Sequence, residues 1–298
     1  MFGRSNCMTV TTKDISVIIV SYNVADLIGA CLQSVLSSVG VIPNIWVVDN
    51  ASQDGSAALI GQEFPSVCLI ANKTNRGFGA ANNQALATCT SKYTVLLNPD
   101  TTVKPESLRI MRDYMEAHPN IGLAGPRVVN PDGSRQDSVS VRYPGHRYGA
   151  SDLGVLPGTI ACVLGACQIV RTELLKSLGG FDEDFFLYGE DQDLCLRIRK
   201  CGYEIGCIKN AIIMHHGGQS ERGTQPEEVV RKKVRAEYLF YKKHYRPETV
   251  EKIRRNQNLR AAWRIYSIKL LIPLMKNKGQ AQGKLARYMV LREETARG

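Results

Sequence analysis

Short, continuous runs of apolar residues alternate with helical patterns along the N-terminal third of the chain, and this alternation constrains the fold most strongly. The runs are Ile15–Val20, Ile45–Val48, Val67–Ile70 and Tyr93–Leu97. Runs of this length, rich in β-branched residues, are typical of strands that are buried on both faces of a parallel sheet. The segments between them, 25–38, 54–64 and 79–88, place apolar residues at helical spacing. The pattern predicts an α/β domain with a mostly parallel central sheet flanked by helices.

The pattern becomes less regular after residue 120. Pro105 is expected to open a helix, but the region that follows it is rich in Pro and Gly turns, and 136–157 shows little periodicity. We expect an irregular loop there that contributes substrate contacts. Further along the chain the sequence predicts an ordered segment at 160–170, followed by helices at 172–178 and 191–201. A strand is predicted at 211–214, and helical patterns continue from 227 to the end.

The positive charge of the chain is concentrated at its C-terminus. The 298 residues carry a net charge of +10, and residues 231–298 hold 19 Lys and Arg against 5 Asp and Glu, a balance of +14. The preceding residues balance to −4. We therefore predict a flexible N-terminus at 1–14, a main domain at 15–226 and a basic helical C-terminal extension at 227–298. The main domain is expected to divide into two halves near residue 125.

The extension leaves several partners open. Trp263–Met275 is aromatic and apolar but is interrupted by Arg264 and Lys269, so it is too short to span a bilayer. It fits a helix in an anionic membrane interface, a helix packed on the main domain, or an oligomer contact. Nucleic acid is not expected, because no recognised motif accompanies the charge.

Two features bear on the cellular compartment. The start of the chain lacks the apolar segment of a signal peptide, and the nine cysteines form no Cys-x-x-Cys pair, which favours reduced thiols. We expect a cytoplasmic protein, with peripheral attachment at the inner face of the cell membrane as the alternative.

Polar residues directly follow three of the predicted strands. In an open parallel sheet, ligands bind in the crevice at the carboxyl ends of the strands. Each residue taken alone also fits a helix cap, but three strand ends together favour a site. A partial dinucleotide fingerprint at 77–82 follows the third strand rather than the first, so a Rossmann dehydrogenase is not expected. The residues at the strand ends are Ser21, Asn23, Asp49, Asn50, Asn98 and Asp100.

The densest acidic cluster, Glu190–Asp193, follows the aromatic segment Phe181–Tyr188. Carboxylates near aromatic side chains have raised pKa values and can act as general bases. The same charges also complement the dipole at the start of a helix, and the two interpretations are compatible.

Six segments in order resemble family 2 glycosyltransferases, most closely the bacterial rhamnosyltransferase-like branch, over roughly residues 15–220. They are VIIVSYN (17–23), VVDNASQDGS (47–56), NRGFGAANN (75–83), LLNPDT (96–101), LGGFDEDFFLYGEDQDLCLRIRKCGY (178–203) and HHGGQS (215–220). The resemblance implies a GT-A fold, a nucleotide-sugar donor, a Mg²⁺ or Mn²⁺ ion and inversion at the anomeric carbon.

The resemblance also implies roles for individual residues. Asp191 is expected to be the base, supported by Glu190 and Asp193, and Asp100 to be the metal ligand. Asn98 stands where the family usually has the first Asp of an Asp-x-Asp motif, which lowers the charge of the site. His215 is expected to close the metal or diphosphate site, whereas His216 should point elsewhere. The remaining expected donor-binding residues are Ser21, Asn23, Asp49, Asn50, Asp54, Asn75, Gly77 and Asn82, with Asp49 bound to the pyrimidine.

The resemblance thus implies an inverting, metal-dependent glycosyltransferase of bacterial surface polysaccharide assembly. It also implies a nucleotide-sugar half at about 15–125 and an acceptor and base half at about 126–226, with acceptor contacts within 134–160. The donor is a dTDP-, UDP- or GDP-linked sugar, with rhamnose as the candidate, and the acceptor is a glycan or lipid-linked glycan. A catalytically degenerate nucleotide-sugar-binding or scaffold protein is the alternative, for which Asn98 is the main support. A nucleotidyltransferase is disfavoured, because Ser21–Asn23 provides neither a Gly-rich loop nor a basic residue after the first strand.

Overall fold

An eight-stranded sheet lies at the centre of the molecule. A computed structural model describes residues 14–218, 221–272 and 278–297. The strand order in the sheet is β3-β2-β1-β4-β9-β6-β10-β5, and β7 pairs with β8 beside it. The strands are β1 (Ile15–Ser21), β2 (Asn44–Asp49), β3 (Cys68–Ala71), β4 (Tyr93–Leu97), β5 (Thr101–Val103), β6 (Ile121–Val129), β7 (Val139–Ser140), β8 (Cys162–Val163), β9 (Cys167–Arg171) and β10 (Glu204–His215).

Helices cover both faces of this sheet and form the C-terminal part of the chain. The predicted irregular loop at 136–157 contains only a short strand and two short helical turns, as its lack of periodicity indicates. The helices are α1 (Ala25–Leu36), α2 (Ser56–Glu63), α3 (Phe78–Leu86), α4 (Ser107–Ala117), α5 (His146–Gly149), a 3₁₀ turn (Ala150–Leu153), α6 (Thr172–Ser177), α7 (Glu190–Lys200), α8 (Pro226–His244), α9 (Pro247–Leu271) and α10 (Lys278–Arg297).

The first four strands, β1 to β4, are parallel and in register, which confirms the predicted α/β fold. β1 pairs in parallel with β2 and with β4, and β2 pairs in parallel with β3. Ser21 lies opposite Asp49 at the ends of β1 and β2. This register brings the polar residues that follow the strands to the same edge of the sheet.

The remaining strands of the eight-stranded sheet mix both directions, and two of these strands, β5 and β6, were not expected. β9 is antiparallel to β4 and β6, while β6 and β10 are parallel. Gly122 and Gly125 of β6 resemble turn signals in the sequence, but in the structure they allow neighbouring side chains to pack closely against the strand. A Cβ atom on Gly122 would lie 2.7 Å from Ile198, and one on Gly125 would lie 2.9 Å from Val163. The predicted strand at 211–214 is the end of a twelve-residue strand that has a bulge after Ile208.

Three apolar clusters hold the elements together. The two largest lie on opposite faces of the sheet and include Ile19 and Leu97 on one face and Ile18 and Leu96 on the other. The two faces bury 21 and 12 described Val, Ile and Leu side chains. At about 2 kcal/mol each, these side chains make the two faces the main source of stability. The third cluster joins Phe240 of α8 to Tyr143 of the irregular loop.

The C-terminal extension is folded onto the main domain. Besides the apolar contacts of Phe240, α8 is tied to α10 by ion pairs from Arg231 and Arg235 to Glu294, at 2.5 and 2.8 Å. No described helix is both long and apolar enough to cross a membrane. The predicted flexible N-terminus, apart from Asp14, and the apolar residues Leu274 and Met275 lie outside the described residues.

Candidate active site

A cavity of about 880 Å³ opens at the carboxyl ends of β1, β2 and β4 and continues to the start of α7. This is the crevice where an open α/β sheet binds its ligands. Its wall brings together nine of the residues that the sequence singled out: Asn23, Asn50, Asn75, Gly77, Asn98, Asp100, Glu190, Asp191 and His215.

Asn50 organises the loop that precedes α3. Its amide nitrogen donates to Asn75 Oδ1 at 2.8 Å and to the carbonyl of Gly77 at 3.2 Å. Its amide oxygen accepts from the backbone N–H of Arg76 at 3.0 Å and from Asn72. Asn50 is 2% exposed and its amide group is fully hydrogen-bonded, so its role is to fix the shape of the loop. Asn75 and Gly77 of this loop line the cavity.

Gly77 allows a close approach of two protein segments. Its φ of +86° lies in the region that favours glycine, and an added Cβ would lie 2.8 Å from the carbonyl oxygen of Phe186. The N–H of Phe78 donates to that same oxygen at 2.9 Å. The close backbone approach at Gly77 is therefore made to the protein segment that directly precedes the acidic cluster. This contact joins the donor-side loop to the start of α7.

Asp100 and His215 face each other across the sheet edge. Asp100 Oδ1 lies 3.4 Å from His215 Nε2, and Asp100 Oδ2 accepts from the N–H of Gly217 at 3.1 Å. On the other side of the ring, His215 Nδ1 lies 2.7 Å from Gln136 Oε1, whose amide nitrogen donates to Asn130. This arrangement assigns the ring proton to Nδ1.

The lone pair of His215 Nε2 and the carboxylate of Asp100 therefore point at the same space. Two acceptors at 3.4 Å form no hydrogen bond with each other, and a cation between them would satisfy both. No group of three or more His, Cys, Asp or Glu side chains suited to a metal occurs among residues 14–218, 221–272 and 278–297. A two-ligand set fits Mg²⁺ or Mn²⁺, which complete their coordination with phosphates and water. His216 is exposed, as the alternation of strand side chains predicts.

Glu190 and Asp191 open α7 and line the same cavity, and their surroundings differ. Burial raises the pKa of Glu190 to about 8, and the charge of Asp191 adds to this effect. Within the described part of the chain, Glu190 Oε2 has no hydrogen-bond partner. Burial also raises the pKa of Asp191, but N–H groups of Gln192 and Gly165, at 2.8 and 3.3 Å, stabilise its ionised form. We infer that Asp191 carries the negative charge at neutral pH and Glu190 the proton.

Five predicted residues do not line the cavity. Asp49 is 2% exposed and accepts from the N–H of Ser52, and neither its Oδ2 nor the hydroxyl of Ser21 has a partner in the described structure. Asp54 accepts from the N–H of the first residue of α1, and Asn82 donates to the carbonyl one turn earlier in α3. Asp193 points away from the cavity into an ion pair with Arg197.

Several cavity residues escaped the sequence analysis. Tyr22 and Tyr188 line it, and Lys232 and Lys233 reach it from α8, although the sequence places them in the basic extension. A helical projection cannot show which turn of a basic helix meets the main domain. The backbone of Tyr188 has a φ of +72°, which is strained for a non-glycine residue and could not be inferred from the sequence.

Comparisons with known proteins identify the family of this chain. A family model described as Glycosyl transferase family 2 matches residues 16–179, more than half of the chain. An N-acetylglucosaminyl-diphospho-decaprenol L-rhamnosyltransferase of Mycobacterium tuberculosis is 27% identical over 227 residues, covering 66% of this chain and 74% of that protein. A succinoglycan biosynthesis protein of Rhizobium meliloti is 34% identical over 122 residues, 40% of this chain and 35% of that protein.

Solved structures show the fold. A mannosyltransferase from Pyrobaculum calidifontis, solved with GDP-Man and Mn²⁺, superposes with a TM-score of 0.59 at 17% identity, covering 94% of this chain and 86% of that one. The S. aureus TarS fragment, solved with UDP-GlcNAc, gives 0.52 at 19% identity, covering 76% and 66%. The fold is the GT-A fold. The chain belongs to glycosyl transferase family 2, and it is a glycosyltransferase.

Proposed function

We propose that the protein is an inverting glycosyltransferase that acts in bacterial surface polysaccharide assembly. The donor is a dTDP-, UDP- or GDP-linked sugar, with rhamnose as the leading candidate, and the acceptor is a lipid-linked glycan. The observation that carries the proposal is that Asp191 and Asp100, from different parts of the chain, line one cavity. The names of the M. tuberculosis and R. meliloti relatives support the sugar, the acceptor class and the process.

Asp191 is the proposed base. Its carboxylate removes the proton from the acceptor hydroxyl while that oxygen attacks the anomeric carbon of the donor. The bond from that carbon to the phosphate oxygen breaks on the opposite face, the nucleoside diphosphate leaves, and the configuration inverts. The N–H groups of Gln192 and Gly165 hold the carboxylate in place and keep it ionised. Protonated Glu190 beside it adds no repulsion to the developing negative charge.

The donor-side residues form the other half of the proposed site. Asn23, Asn50, Asn75 and Gly77 line the part of the cavity at the ends of β1 and β2. Asp49 lies outside the cavity lining with one carboxylate oxygen that lacks a partner in the described chain, so its proposed bond to the base N–H of the nucleotide requires the donor to displace part of this wall. Ser21, Asp54 and Asn82 act as supports of this wall.

A divalent cation is the proposed cofactor. Asp100 and His215 would hold it, since their acceptor atoms face the same space. When bound, the cation neutralises charge on the leaving diphosphate. Asn98 lines the cavity nearby, and an amide in place of a carboxylate leaves the metal affinity dependent on Asp100.

A catalytically degenerate binding protein is the second candidate, and Asn98 is the observation that favours it. One experiment separates the two. The full-length protein is incubated with dTDP-rhamnose, UDP-GlcNAc and GDP-mannose, with and without Mn²⁺, and release of nucleoside diphosphate is measured. The proposed enzyme hydrolyses or transfers one of these sugars, whereas a degenerate protein binds the nucleotide without turnover.

We further propose that α9 attaches the protein to an anionic membrane surface. Four exposed side chains, Leu259, Trp263, Tyr266 and Leu270, are spaced by four, three and four residues and share one helix face. The opposite face packs inward through Ile253, Ala261 and Ile268, which are buried. The helix therefore combines the packing role with an apolar stripe that the protein leaves uncovered. Basic residues on the exposed surface of the helix complement anionic lipid: Arg255, Arg260, Arg264 and Lys269.

A further inference from the structure

The cavity has a second wall that lies outside the region matched by the family model. It is formed by α8, whose residues Lys232, Lys233, Ala236 and Glu237 line the cavity. Ala236 packs beside Gly189, because a Cβ on that glycine would lie 3.6 Å from the Ala236 Cβ. Gly189 directly precedes the proposed base and its neighbour, so this part of α8 lies beside the catalytic end of the cavity.

Lys233 lies one turn before Ala236 and faces the same end. Its Nζ lies 4.9 Å from the centroid of the Tyr188 ring, the residue before Gly189. No carboxylate lies within ion-pair distance of Lys233 among residues 14–218, 221–272 and 278–297. An ammonium held only by an aromatic face at the wall of a cavity retains its capacity to bind an anion.

Lys232 already binds an oxyanion in this position. Its Nζ lies 3.1 and 3.3 Å from the two carboxylate oxygens of Glu221, whose side chain is 8% exposed. The other carboxylate of this wall, Glu237, accepts from the hydroxyl of Tyr241 at 3.1 Å. Both acidic groups of this wall thus have partners, and Lys233 is left as a cation for a ligand.

We propose that Lys233, assisted by Lys232, forms a phosphate subsite for the acceptor, which is a sugar linked to a lipid through phosphate. The inference rests on the proposed function and specifies its acceptor class. The subsite lies beside Glu190 and Asp191, where the acceptor hydroxyl must reach the base, whereas Asp100 and His215 lie on the donor side. A lysine ammonium suits phosphate as a compact point charge.

A lipid diphosphate that carries no sugar tests the subsite. Farnesyl diphosphate is titrated by calorimetry into the full-length protein after saturation with Mn²⁺ and whichever of dTDP, UDP and GDP binds most tightly. We expect Lys233→Ala to raise its dissociation constant about tenfold and Lys232→Ala to raise it less. Lys242→Ala is the matched control, because this exposed lysine of α8 lies nine residues further, about half a turn around the helix.

The outcomes separate the two sources of phosphate. Unchanged nucleotide affinity in Lys233→Ala, together with weaker farnesyl diphosphate binding, supports the acceptor subsite. Weaker nucleotide binding in Lys233→Ala would assign the lysine to the donor and overturn the proposal, as would equal farnesyl diphosphate affinity in wild type and Lys233→Ala. If the wild type turns over no nucleotide sugar but still binds farnesyl diphosphate through Lys233, the proposed function fails and the subsite stands.

Discussion

His244 Nε2, at the end of α8, donates a hydrogen bond of 2.8 Å to Asp193 Oδ1 in α7, and both side chains are buried. Arg197 Nε donates to the other carboxylate oxygen at 2.7 Å. The C-terminal extension is thereby linked to the first turn of the helix that carries Glu190 and Asp191. Asp193 does not line the cavity, and we propose that it supports Asp191 by positioning this turn.

Loss of the His244 imidazole should slow turnover without changing the affinity for the donor nucleotide. His244→Ala leaves Asp193 with one partner, so the first turn of α7 is less well fixed, and we expect kcat to fall about three- to tenfold. His244→Gln keeps an N–H donor and should therefore retain most of the wild-type kcat. Steady-state kinetics with saturating donor give kcat, and calorimetry with the nucleoside diphosphate should give wild-type affinity.

A purely structural link would behave differently. In that case both variants would lower the melting temperature, but the folded fraction of each would retain wild-type kcat.

Removal of the base should abolish transfer and spare binding. Asp191→Asn keeps the shape of the side chain but cannot accept the hydroxyl proton, so kcat should fall by a factor on the order of 10² or more. Nucleotide affinity, measured by calorimetry, should stay within about twofold of wild type, because the donor-side residues are unchanged. Near-normal turnover in Asp191→Asn would transfer the role of base to Glu190.

Metal dependence should reside in Asp100. Nucleoside diphosphate is expected to bind more tightly with Mn²⁺ than without it, and Asp100→Ala should remove that gain. Asn98→Asp is the informative companion, since a second carboxylate should strengthen the Mn²⁺ effect. Equal wild-type affinity with and without Mn²⁺ would contradict the metal site and leave charge neutralisation to cationic side chains.

Glu190 should make stability depend on pH in a defined direction. Its pKa is raised from 4.5 to about 8, so between these values the native state keeps a proton that the unfolded chain has released. The contribution of this group to stability is therefore complete below pH 4.5 and is lost as the pH rises through 8. Glu190→Gln is neutral throughout, and we expect it to gain at least ~3 °C in melting temperature over wild type between pH 5 and pH 8.5. A melting-temperature difference that is independent of pH would show that Glu190 is ionised in the native state.

Local patterns in the sequence predict the N-terminal part of the molecule, up to about residue 100, well and the part that follows it poorly. The strands that end at Ser21 and Asp49 are short apolar runs, and parallel pairing then places their polar neighbours at one edge. β6 was missed because Gly122 and Gly125 satisfy packing with side chains distant in sequence, which no local signal reports. The same limit applies to Lys233, since the approach of α8 to Gly189 depends on tertiary contacts made by Phe240.

The last prediction concerns the apolar stripe of α9 and its binding to anionic vesicles. Full-length protein should co-sediment with liposomes of phosphatidylglycerol and phosphatidylcholine at low salt and should stay in solution with phosphatidylcholine alone. Attachment should weaken as salt rises, because screening shortens the reach of the lysines and arginines to about 10 Å at 0.1 M. Trp263→Ser and Leu270→Ser remove exposed side chains, so they should reduce binding without lowering the melting temperature.

A variant elsewhere on the surface separates the stripe from a general effect of hydrophobic residues. Val155 is fully exposed on the irregular loop, and Val155→Ser should leave vesicle binding unchanged. If the wild type fails to bind anionic vesicles, and Trp263→Ser instead converts a dimer to a monomer in light scattering, the stripe is an oligomer contact. Binding to anionic vesicles that Trp263→Ser and Leu270→Ser do not reduce would place attachment on the basic residues alone, because interfacial insertion requires the aromatic and aliphatic side chains.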